Sequence, residues 1–508
     1  MEFKKKSIRV SGKGIEYKSP PIDLLEKEKG KPSAGDIKTN SRIIKKTLES
    51  FEIPVEMSGV NVGPTVTQYS LKPAEGIKIS KITSLSNDMA LALATHPIRI
   101  EAPIPGKSLV GIEVPNKVRS LVRLRDLMQA PEFSDHPSDL VFCLGKDVSG
   151  HPMYANLGKM PHLLVAGSTG TGKTIFLNTL ILSLLYRNSP DRLKLILIDP
   201  KRVEFSIYSS LPHLLCPAIV DSSKAVNALK WLIDEMDRRF KELAKVRARN
   251  IYSYNEKSAK NDFERLPYII LIIDELADLM AAKGREVETS VVRLAQMARA
   301  VGIHLVVATQ RPSVEVITGL IKANITSRIT FQVASQVDSR TVLDTSGAEK
   351  LLGAGDMLFI SSEIVKPKRM QAAYISEKEV KKVVDWIKTE FEVIEGEDLK
   401  DSLSEALRRE SEAGTVDPDD FSSQEDSLYE EAKRVIIQHR KASASLLQRK
   451  LRIGYARAAR LIDTLEERGL VGPSQGAKPR EVYIRNADNQ YGEDSLEREE
   501  NDEQWHSV

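Results

Sequence analysis

Residues 167–174 read GSTGTGKT and fit the phosphate-loop pattern G-x-x-x-x-G-K-[ST]. The apolar residues 163–166 before the loop predict a strand, and a helix is expected to begin at Lys173. Glycines let backbone N–H groups turn toward phosphate oxygens, and the helix N-terminus adds the positive end of its dipole. The alternative, a glycine-rich turn that binds nothing, does not explain why both flanks fit.

The loop therefore predicts a site for ATP with Mg²⁺. Lys173 would place its charge between the β- and γ-phosphates, and the Thr174 hydroxyl would ligate Mg²⁺. The residues expected to contact the nucleotide are Gly167, Ser168, Thr169, Gly170, Thr171, Gly172, Lys173 and Thr174.

A second acidic position follows the apolar segment Tyr268–Ile273, which ends in Asp274 and Glu275. The carboxyl ends of parallel strands face the nucleotide crevice, so Asp274 is expected in the Mg²⁺ shell. Glu275 is expected to polarise the attacking water, which hydrolysis requires. A helix cap is the alternative for Asp274. Asp199 also ends an apolar strand, but an Asp before a proline is more often a turn residue, so it ranks second.

A third strand, at residues 304–308, leads to Gln310, which is expected to sense the γ-phosphate or orient water. The alternative is a polar loop residue. The predicted catalytic set is Lys173, Asp274, Glu275 and Gln310. An arginine from a neighbouring copy could stabilise transition-state charge. The sequence does not choose among Arg293, Arg299, Arg328 and Arg340, of which Arg299 and Arg340 are kept as leading candidates.

Between residues 139 and 391, short apolar strands alternate with longer helices, which predicts a mostly parallel sheet wrapped by helices. The rest of the chain is divided by composition. We expect a flexible arm at 1–35, a small α/β domain at 36–138, an acidic linker at 392–427, a folded unit at 428–485 and a disordered acidic tail at 486–508.

The unit at residues 428–485 is basic and predicts a helix-turn-helix with a wing. From residue 433 to 485 there are thirteen Lys and Arg against four Asp and Glu, which favours DNA as its partner. Arg457 and Arg460 are expected to read bases in the major groove. Lys478 and Arg480 are expected to contact phosphates. A winged helix used for protein contact is the alternative.

These motifs together resemble the soluble motor region of the FtsK/SpoIIIE DNA translocases over roughly residues 36–485. The stretches that carry the resemblance are GPTVTQY at 63–69, RIEAPIPGK at 99–107, HLLVAGSTGTGKT at 162–174, IDPK at 198–201, DELADLM at 274–280, ATQRPS at 308–313, GLIKAN at 319–324 and DSRT at 338–341.

The resemblance implies an α/β fold: a RecA-like P-loop motor core, a small preceding α/β domain and a C-terminal winged-helix domain. It implies a hexameric ring around double-stranded DNA that uses ATP to move the DNA in chromosome segregation, during cell division or sporulation. It also implies that the winged helix reads short directional sequences and can contact Xer-type recombinases. A transcription regulator with an ATPase core and a conjugation or packaging motor are the alternatives.

Composition narrows the classes of protein to which the chain can belong. The net charge is only +3, and the two cysteines, Cys143 and Cys216, are too few for a disulfide framework and suggest no metal site. No apolar run approaches the ~18 residues that span a bilayer. We expect a cytoplasmic chain without direct membrane insertion. Family members usually carry an N-terminal anchor, so recruitment to the division septum would need a separate segment or partner.

Overall fold

The computed structural model describes residues 8–9, 16–28, 30–261, 263–391, 398–408, 429–439, 441–451, 455–472, 480 and 482–483. These residues fall into two compact units that divide between residues 414 and 415. Among the described helices, none combines the length and the apolar character needed to cross a membrane.

The first unit begins with a small α/β domain built on a four-stranded antiparallel sheet of order β3-β4-β6-β5. Helix α1 starts at Ile37 because the Asp36 carboxylate accepts the Thr39 N–H at 3.0 Å. Its apolar face packs on the sheet. The elements up to this point are β1 (Ile8–Arg9), β2 (Glu16–Tyr17), α1 (Ile37–Ser50), β3 (Val55–Val62), β4 (Val66–Pro73), α2 (Ile79–Ser84), α3 (Ser86–Ala92), β5 (Arg99–Glu101) and β6 (Val110–Pro115).

The motor core of the same unit alternates strands and helices. Its elements are α4 (Leu124–Gln129), α5 (Pro131–Ser134), β7 (Val141–Asp147), β8 (Pro152–Asn156), β9 (His162–Ala166), α6 (Lys173–Leu185), β10 (Leu193–Ile198), α7 (Ser222–Lys245), α8 (Ile251–Ser258), β11 (Tyr268–Ile273), α9 (Leu276–Met297), β12 (Ile303–Thr309), α10 (Gly319–Asn324), β13 (Ser327–Phe331), α11 (Gln336–Leu343), β14 (Asp356–Ile360), β15 (Lys368–Ala372), α12 (Glu377–Glu390) and α13 (Asp398–Arg408).

The motor sheet has nine strands in the order β10-β11-β12-β9-β13-β14-β15-β7-β8. The first five strands in this order, from β10 through β9 to β13, run parallel to one another. The four remaining pairs, from β13–β14 to β7–β8, are antiparallel. The expectation of a mostly parallel sheet was therefore wrong for its second half. The connections between β14 and β15 and between β7 and β8 are too short for a crossover helix, so these strands can pair only as hairpins.

Helices cover both faces of this sheet, and strand alternation divides the core between them. On β9, Leu163 and Val165 pack with helix α6, while Leu164 and Ala166 pack with α7 and α9. Helix α6 is buried along most of its length. The strand and the helix that flank the phosphate loop are thus embedded in the core, which fixes the loop between them.

Residues 19–28 are ordered against the motor core, although the segment 1–35 was expected to be a flexible arm. Leu25 is 1% exposed and belongs to the motor core cluster. The Arg125 guanidinium donates to the Leu25 carbonyl at 3.0 Å, and the Glu26 N–H donates to the Glu379 carboxylate at 2.7 Å. The polar composition concealed this segment because only a few apolar side chains anchor it, while its acidic side chains pair with basic residues of the motor core.

Helix α13 lies inside the predicted linker 392–427 and packs on helix α7. Leu403 is fully buried, and the Trp231 indole N–H donates to the Ser402 hydroxyl at 3.0 Å. Its apolar residues recur at helical spacing on one face, so the acidic residues between them hid an amphipathic helix. The rest of that segment, and the expected tail at 486–508, lie outside the described residues.

The boundary between the small domain and the motor also differs from the expected residue 138. Helices α4 and α5 pack against β7, and Leu127 and Phe133 lie in the motor core cluster. The motor therefore begins near Arg123, because these short helices bury their apolar side chains against the motor sheet.

The second unit contains helices α14 (Tyr429–His439), α15 (Ala444–Leu451) and α16 (Tyr455–Glu467). Antiparallel bridges join Ala442 to Arg480 and Val471 to Val482. Helix α16 buries Leu461, Ile462 and Leu465, as its spacing predicts. Three helices, joined with antiparallel bridges after α14 and after α16, form the winged-helix arrangement.

Candidate active site

The phosphate loop joins strand β9 to helix α6 and packs closely against Gly355 and Phe331. Gly172 has a φ of +124°, and a Cβ there would lie 2.8 Å from the Gly355 Cα. A Cβ on Gly167 would lie 2.6 Å from the Phe331 Cβ. A Cβ would clash at either position, and Gly172 also needs a positive φ. Both glycines are therefore required by backbone geometry as well as by access for phosphates.

Hydrogen bonds to backbone carbonyls hold the loop in its curved form. The Ser168 N–H donates to the Gln332 carbonyl at 2.9 Å, and the Thr171 hydroxyl donates to the Ser168 carbonyl at 2.7 Å. Thr169 and Gly170 form the exposed tip. The loop is therefore anchored at its base, and its tip is open to solvent.

Lys173 and Asp274 form a buried ion pair beside the loop. The Lys173 ammonium donates to the Asp274 carboxylate at 2.7 Å and to the Asp274 carbonyl at 2.5 Å. Burial raises the pKa of Asp274, and Lys173 opposes that rise. Its second oxygen, Oδ2, is buried with no hydrogen-bond partner among the described residues.

Asp199 lies on the neighbouring strand end, because Ile198 of β10 pairs with Ile273 of β11. Its Oδ2 accepts the N–H groups of Glu204 at 2.9 Å and Phe205 at 3.0 Å. Asp199 therefore orders the turn that follows it, which is the role that the sequence favoured for this residue. Its Oδ1 is buried and lacks a partner within the described part of the chain.

Glu275 is fully buried and held by several donors. Its Oε1 accepts the Thr309 hydroxyl at 2.6 Å, and its Oε2 accepts the Gln310 N–H at 3.0 Å. The Lys201 ammonium lies 3.5 Å from Oε2. A carboxylate oriented by fixed donors at the end of β11 is suited to accept a proton from water.

The Gln310 side chain contacts the phosphate loop itself. Its Oε1 accepts the Thr169 hydroxyl at 2.7 Å, while its backbone N–H contacts Glu275. Gln310 thus joins the loop tip to the expected base, which fits a residue that senses phosphate.

Three contributors were not predicted: Thr309, Lys201 and Glu204. The Thr174 hydroxyl hydrogen-bonds to the Glu204 carboxylate. Burial raises the pKa of Glu204, and this hydrogen bond opposes the rise. Lys201 belongs to the IDPK stretch, which carried the family resemblance but no assigned role. Thr309 belongs to the ATQRPS stretch at 308–313, which also carried the resemblance but gave this residue no role.

Two of the candidate arginines, Arg340 and Arg299, lie at opposite ends of the parallel strands. Arg340 is exposed on α11, which follows β13 at the edge that carries the phosphate loop. Arg299 is exposed directly before β12, at the opposite edge. Arg328 is buried and binds the Val342 carbonyl at 3.0 Å and Asp344 at 2.8 Å, so its guanidinium is engaged within the fold.

The predicted DNA contacts lie in the second unit. Arg457 and Arg460 are on helix α16, but their side chains are outside the described residues, as is Lys478. The Arg480 guanidinium is paired with Asp463 at 2.8 Å and with Glu466. The roles of these four residues in DNA binding stay predictions.

Comparison with protein families matches three consecutive parts of the chain. The FtsK alpha domain matches residues 19–116, the FtsK/SpoIIIE family matches residues 123–314, and the FtsK gamma domain matches residues 423–485. This chain belongs to the FtsK/SpoIIIE family. The α/β fold class, with a RecA-like motor core, a preceding small domain and a C-terminal winged helix, is confirmed.

Its relatives in the FtsK/SpoIIIE family cover nearly the whole chain. The DNA translocase FtsK of Clostridium tetani is 49% identical over 492 residues, which are 96% of this chain and 65% of that protein. The DNA translocase SpoIIIE of Bacillus subtilis is 48% identical over 479 residues, 92% of this chain and 59% of that protein. The chain thus spans less than two thirds of the length of these relatives.

Among solved structures, the pCW3 conjugation coupling protein TcpA, in a monomer form with ATPγS, matches with a TM-score of 0.48 and 26% identity, over 68% of this chain and 99% of that chain.

Proposed function

We propose that this chain is an ATP-driven motor that moves along double-stranded DNA in chromosome segregation, during cell division or sporulation. The observation that carries the hydrolytic part is Glu275: a fully buried carboxylate oriented by Thr309 and Gln310 beside the Lys173–Asp274 pair. A site that only holds nucleotide needs the lysine and the loop but not this base.

The residues beside the loop fit a bound Mg²⁺. Asp274 offers a buried oxygen with no partner among the described residues, and Thr174 offers a hydroxyl at the start of α6. Hard oxygen donors of this kind are the ligands Mg²⁺ prefers. When bound, the ion would neutralise charge on the phosphate oxygens.

The chain's own residues supply the other requirements. Lys173 contributes a positive charge for the phosphates, and the N–H groups of the loop and of helix α6 contribute donors. Glu275 accepts the proton of the attacking water. Gln310 links the position of Glu275 to the loop tip through Thr169. Hydrolysis would therefore depend on the loop being in its phosphate-bound arrangement.

A neighbouring copy is expected to complete the site within a hexameric ring. Arg340 is the better placed of the two leading arginines, because it is exposed at the phosphate edge while Arg299 lies at the other end of the strands. A guanidinium supplied in trans would stabilise charge on the transferring phosphoryl group.

The winged helix is proposed as the reader of directional DNA sequences and as a contact for Xer-type recombinases. The gamma-domain match at residues 423–485 and the basic composition of this unit support the DNA role. The order of alpha, motor and gamma parts supports a translocase over a transcription regulator or a conjugation motor. We propose cytoplasmic action, with recruitment to the septum by a separate membrane segment or partner.

ATP turnover with and without duplex DNA tests the proposal. The wild-type chain should hydrolyse ATP faster when duplex DNA is present. Glu275→Gln keeps the size of the side chain and should bind ATP with little turnover. Wild-type turnover that ignores DNA, or full turnover by Glu275→Gln, would count against the function or the assigned base, respectively.

A further inference from the structure

The turn at residues 352–356 forms the floor of the phosphate loop. The Gly355 N–H donates to the Thr171 carbonyl at 2.8 Å. A Cβ on Gly172 would lie 2.8 Å from both the Cα and the N of Gly355. Two glycines therefore bring backbone against backbone, so a shift of the turn must shift the loop.

Asp356 fixes the shape of this turn. Its Oδ2 accepts the Leu352 N–H at 2.8 Å, and its own N–H donates to the Gly353 carbonyl at 3.0 Å. The Arg369 guanidinium grips the same carboxylate through two bonds, at 3.0 Å to Oδ1 and 2.6 Å to Oδ2. Asp356 and Arg369 are 1% and 3% exposed, so water does not compete for these bonds.

Arg369 also reaches into the small domain. Its Nη1 donates to Glu113 of β6 at 2.8 Å, and Arg99 of β5 donates to the other Glu113 oxygen at 2.9 Å. Burial would raise the pKa of Glu113, but Arg99 and Arg369 hold it below its usual range. An ion-pair chain thus runs from the small domain through Arg369 to the turn.

A second, uncharged chain follows the same route. The Thr65 hydroxyl donates to the Gln371 side-chain oxygen at 2.5 Å, and the Gln371 amide donates to the Ala354 carbonyl at 2.9 Å. The Ala372 N–H adds a bond to the Gly355 carbonyl at 2.8 Å. Both chains start in the small domain and end in the five residues that support the phosphate loop.

We propose that Arg369 and Gln371 are positioning residues for the phosphate loop, and that the small domain, through Glu113 and Thr65, holds the loop in its phosphate-binding form. This inference rests on the proposed ATP site and adds a residue-level dependence of that site on the small domain. Buried charge chains cost desolvation energy and specify one arrangement of the groups that they join. The rigidity so gained would appear as nucleotide affinity, because Glu275 is not part of either chain.

Thr65→Val in the full chain is the direct test, because it removes one hydroxyl without leaving a buried charge. We expect the dissociation constant and KM for a fluorescent ATP analogue to rise about five-fold, the equivalent of one hydrogen bond, with kcat little changed. Thr67→Val is the matched control. The Thr67 hydroxyl is as deeply buried on the same part of the small domain, but it donates to Asn116 at 2.6 Å and stays within that domain.

Glu113→Gln and hydrogen exchange extend the test. Nucleotide binding should slow amide exchange in β4 and β6 of the wild-type chain, and Thr65→Val and Glu113→Gln should reduce that protection, because coupling between sites is reciprocal. Equal nucleotide affinity for Thr65→Val and wild type, or equal weakening by Thr65→Val and Thr67→Val, overturns the positioning role. Absence of nucleotide binding by the wild-type chain would instead count against the proposed function.

Discussion

Thr309→Val removes the closest donor to the expected base and keeps the shape of the side chain. The Thr309 hydroxyl lies 2.6 Å from Glu275 Oε1, and both residues are fully buried. A hydrogen bond to a charged group contributes ~1.5–3 kcal/mol. The Gln310 N–H would still orient Oε2. Since ~1.4 kcal/mol is ten-fold in rate, we expect kcat to fall about ten- to a hundred-fold.

The assay is steady-state ATP turnover at saturating DNA, with KM measured for ATP. KM should stay within about two-fold, because the bond between Thr309 and the phosphate loop, from the Gly167 N–H to the Thr309 carbonyl at 3.3 Å, is a backbone bond that Thr309→Val keeps. Thr330→Val is the matched control. Thr330 is fully buried on strand β13, which β9 separates from β12. It lies opposite Ala166, and its hydroxyl has no partner in the described part of the chain. Unchanged kcat in Thr309→Val, or an equal loss in Thr330→Val, would refute the role given to Glu275 and its donors.

Lys173→Ala should abolish ATP turnover, measured by phosphate release. DNA binding by the C-terminal unit, measured by gel shift, should not change. Persistent turnover would contradict the assigned ATP site. Burial lowers the pKa of His304 from 6.5 to about 4. Protonation of His304 is therefore disfavoured in the folded state. The share of the free energy of unfolding that depends on neutral His304 is fully present above pH 6.5 and should be lost as pH falls toward about 4. This contribution is about 3 kcal/mol; His304→Gln should show a shallower loss in unfolding curves, and parallel curves would contradict it. Arg457→Ala and Arg460→Ala should each weaken binding to a preferred DNA sequence by ~1–3 kcal/mol more than to random DNA, and equal losses would indicate phosphate contacts instead.

The sequence predicted the centre of the site because its signals are local. The pattern at residues 167–174 is contiguous, and its strand and helix flanks are buried elements with strong apolar runs. Asp274 and Glu275 were predicted because strand β11 is fully apolar and ends at them. Such signals depend on neighbours in sequence, which is why the strand ends met as expected at one edge of the sheet.

The supporting contacts could not be predicted because they join residues far apart in the chain. Arg369 and Glu113 are 256 residues apart, and Gln371 and Thr65 are 306 apart. No spacing rule relates them, and each alone is typical of an exposed strand residue. Thr309 reaches Glu275 across neighbouring strands, a pairing that only the sheet order determines.

Composition misled where a short apolar pattern was diluted by charge. Leu25 lies in a short segment with Asp23, Glu26 and Lys27, yet it is buried in the motor core. Helix α13 carries acidic residues along its outer face and buries Leu403. The antiparallel half of the sheet was missed because hairpin strands such as β8 (PMYAN) and β15 (KRMQA) lack the continuous apolar run that predicted the parallel strands. Their direction follows from the short connections to their partners.

Triplex displacement by the full chain tests the central claim most directly. A third strand bound to a duplex is released only when a motor moves through it, so its release reports translocation apart from ATP hydrolysis. We expect ATP-dependent release by the wild-type chain and none by Glu275→Gln. A wild-type chain that hydrolyses ATP in the presence of duplex DNA and leaves the third strand in place would contradict it.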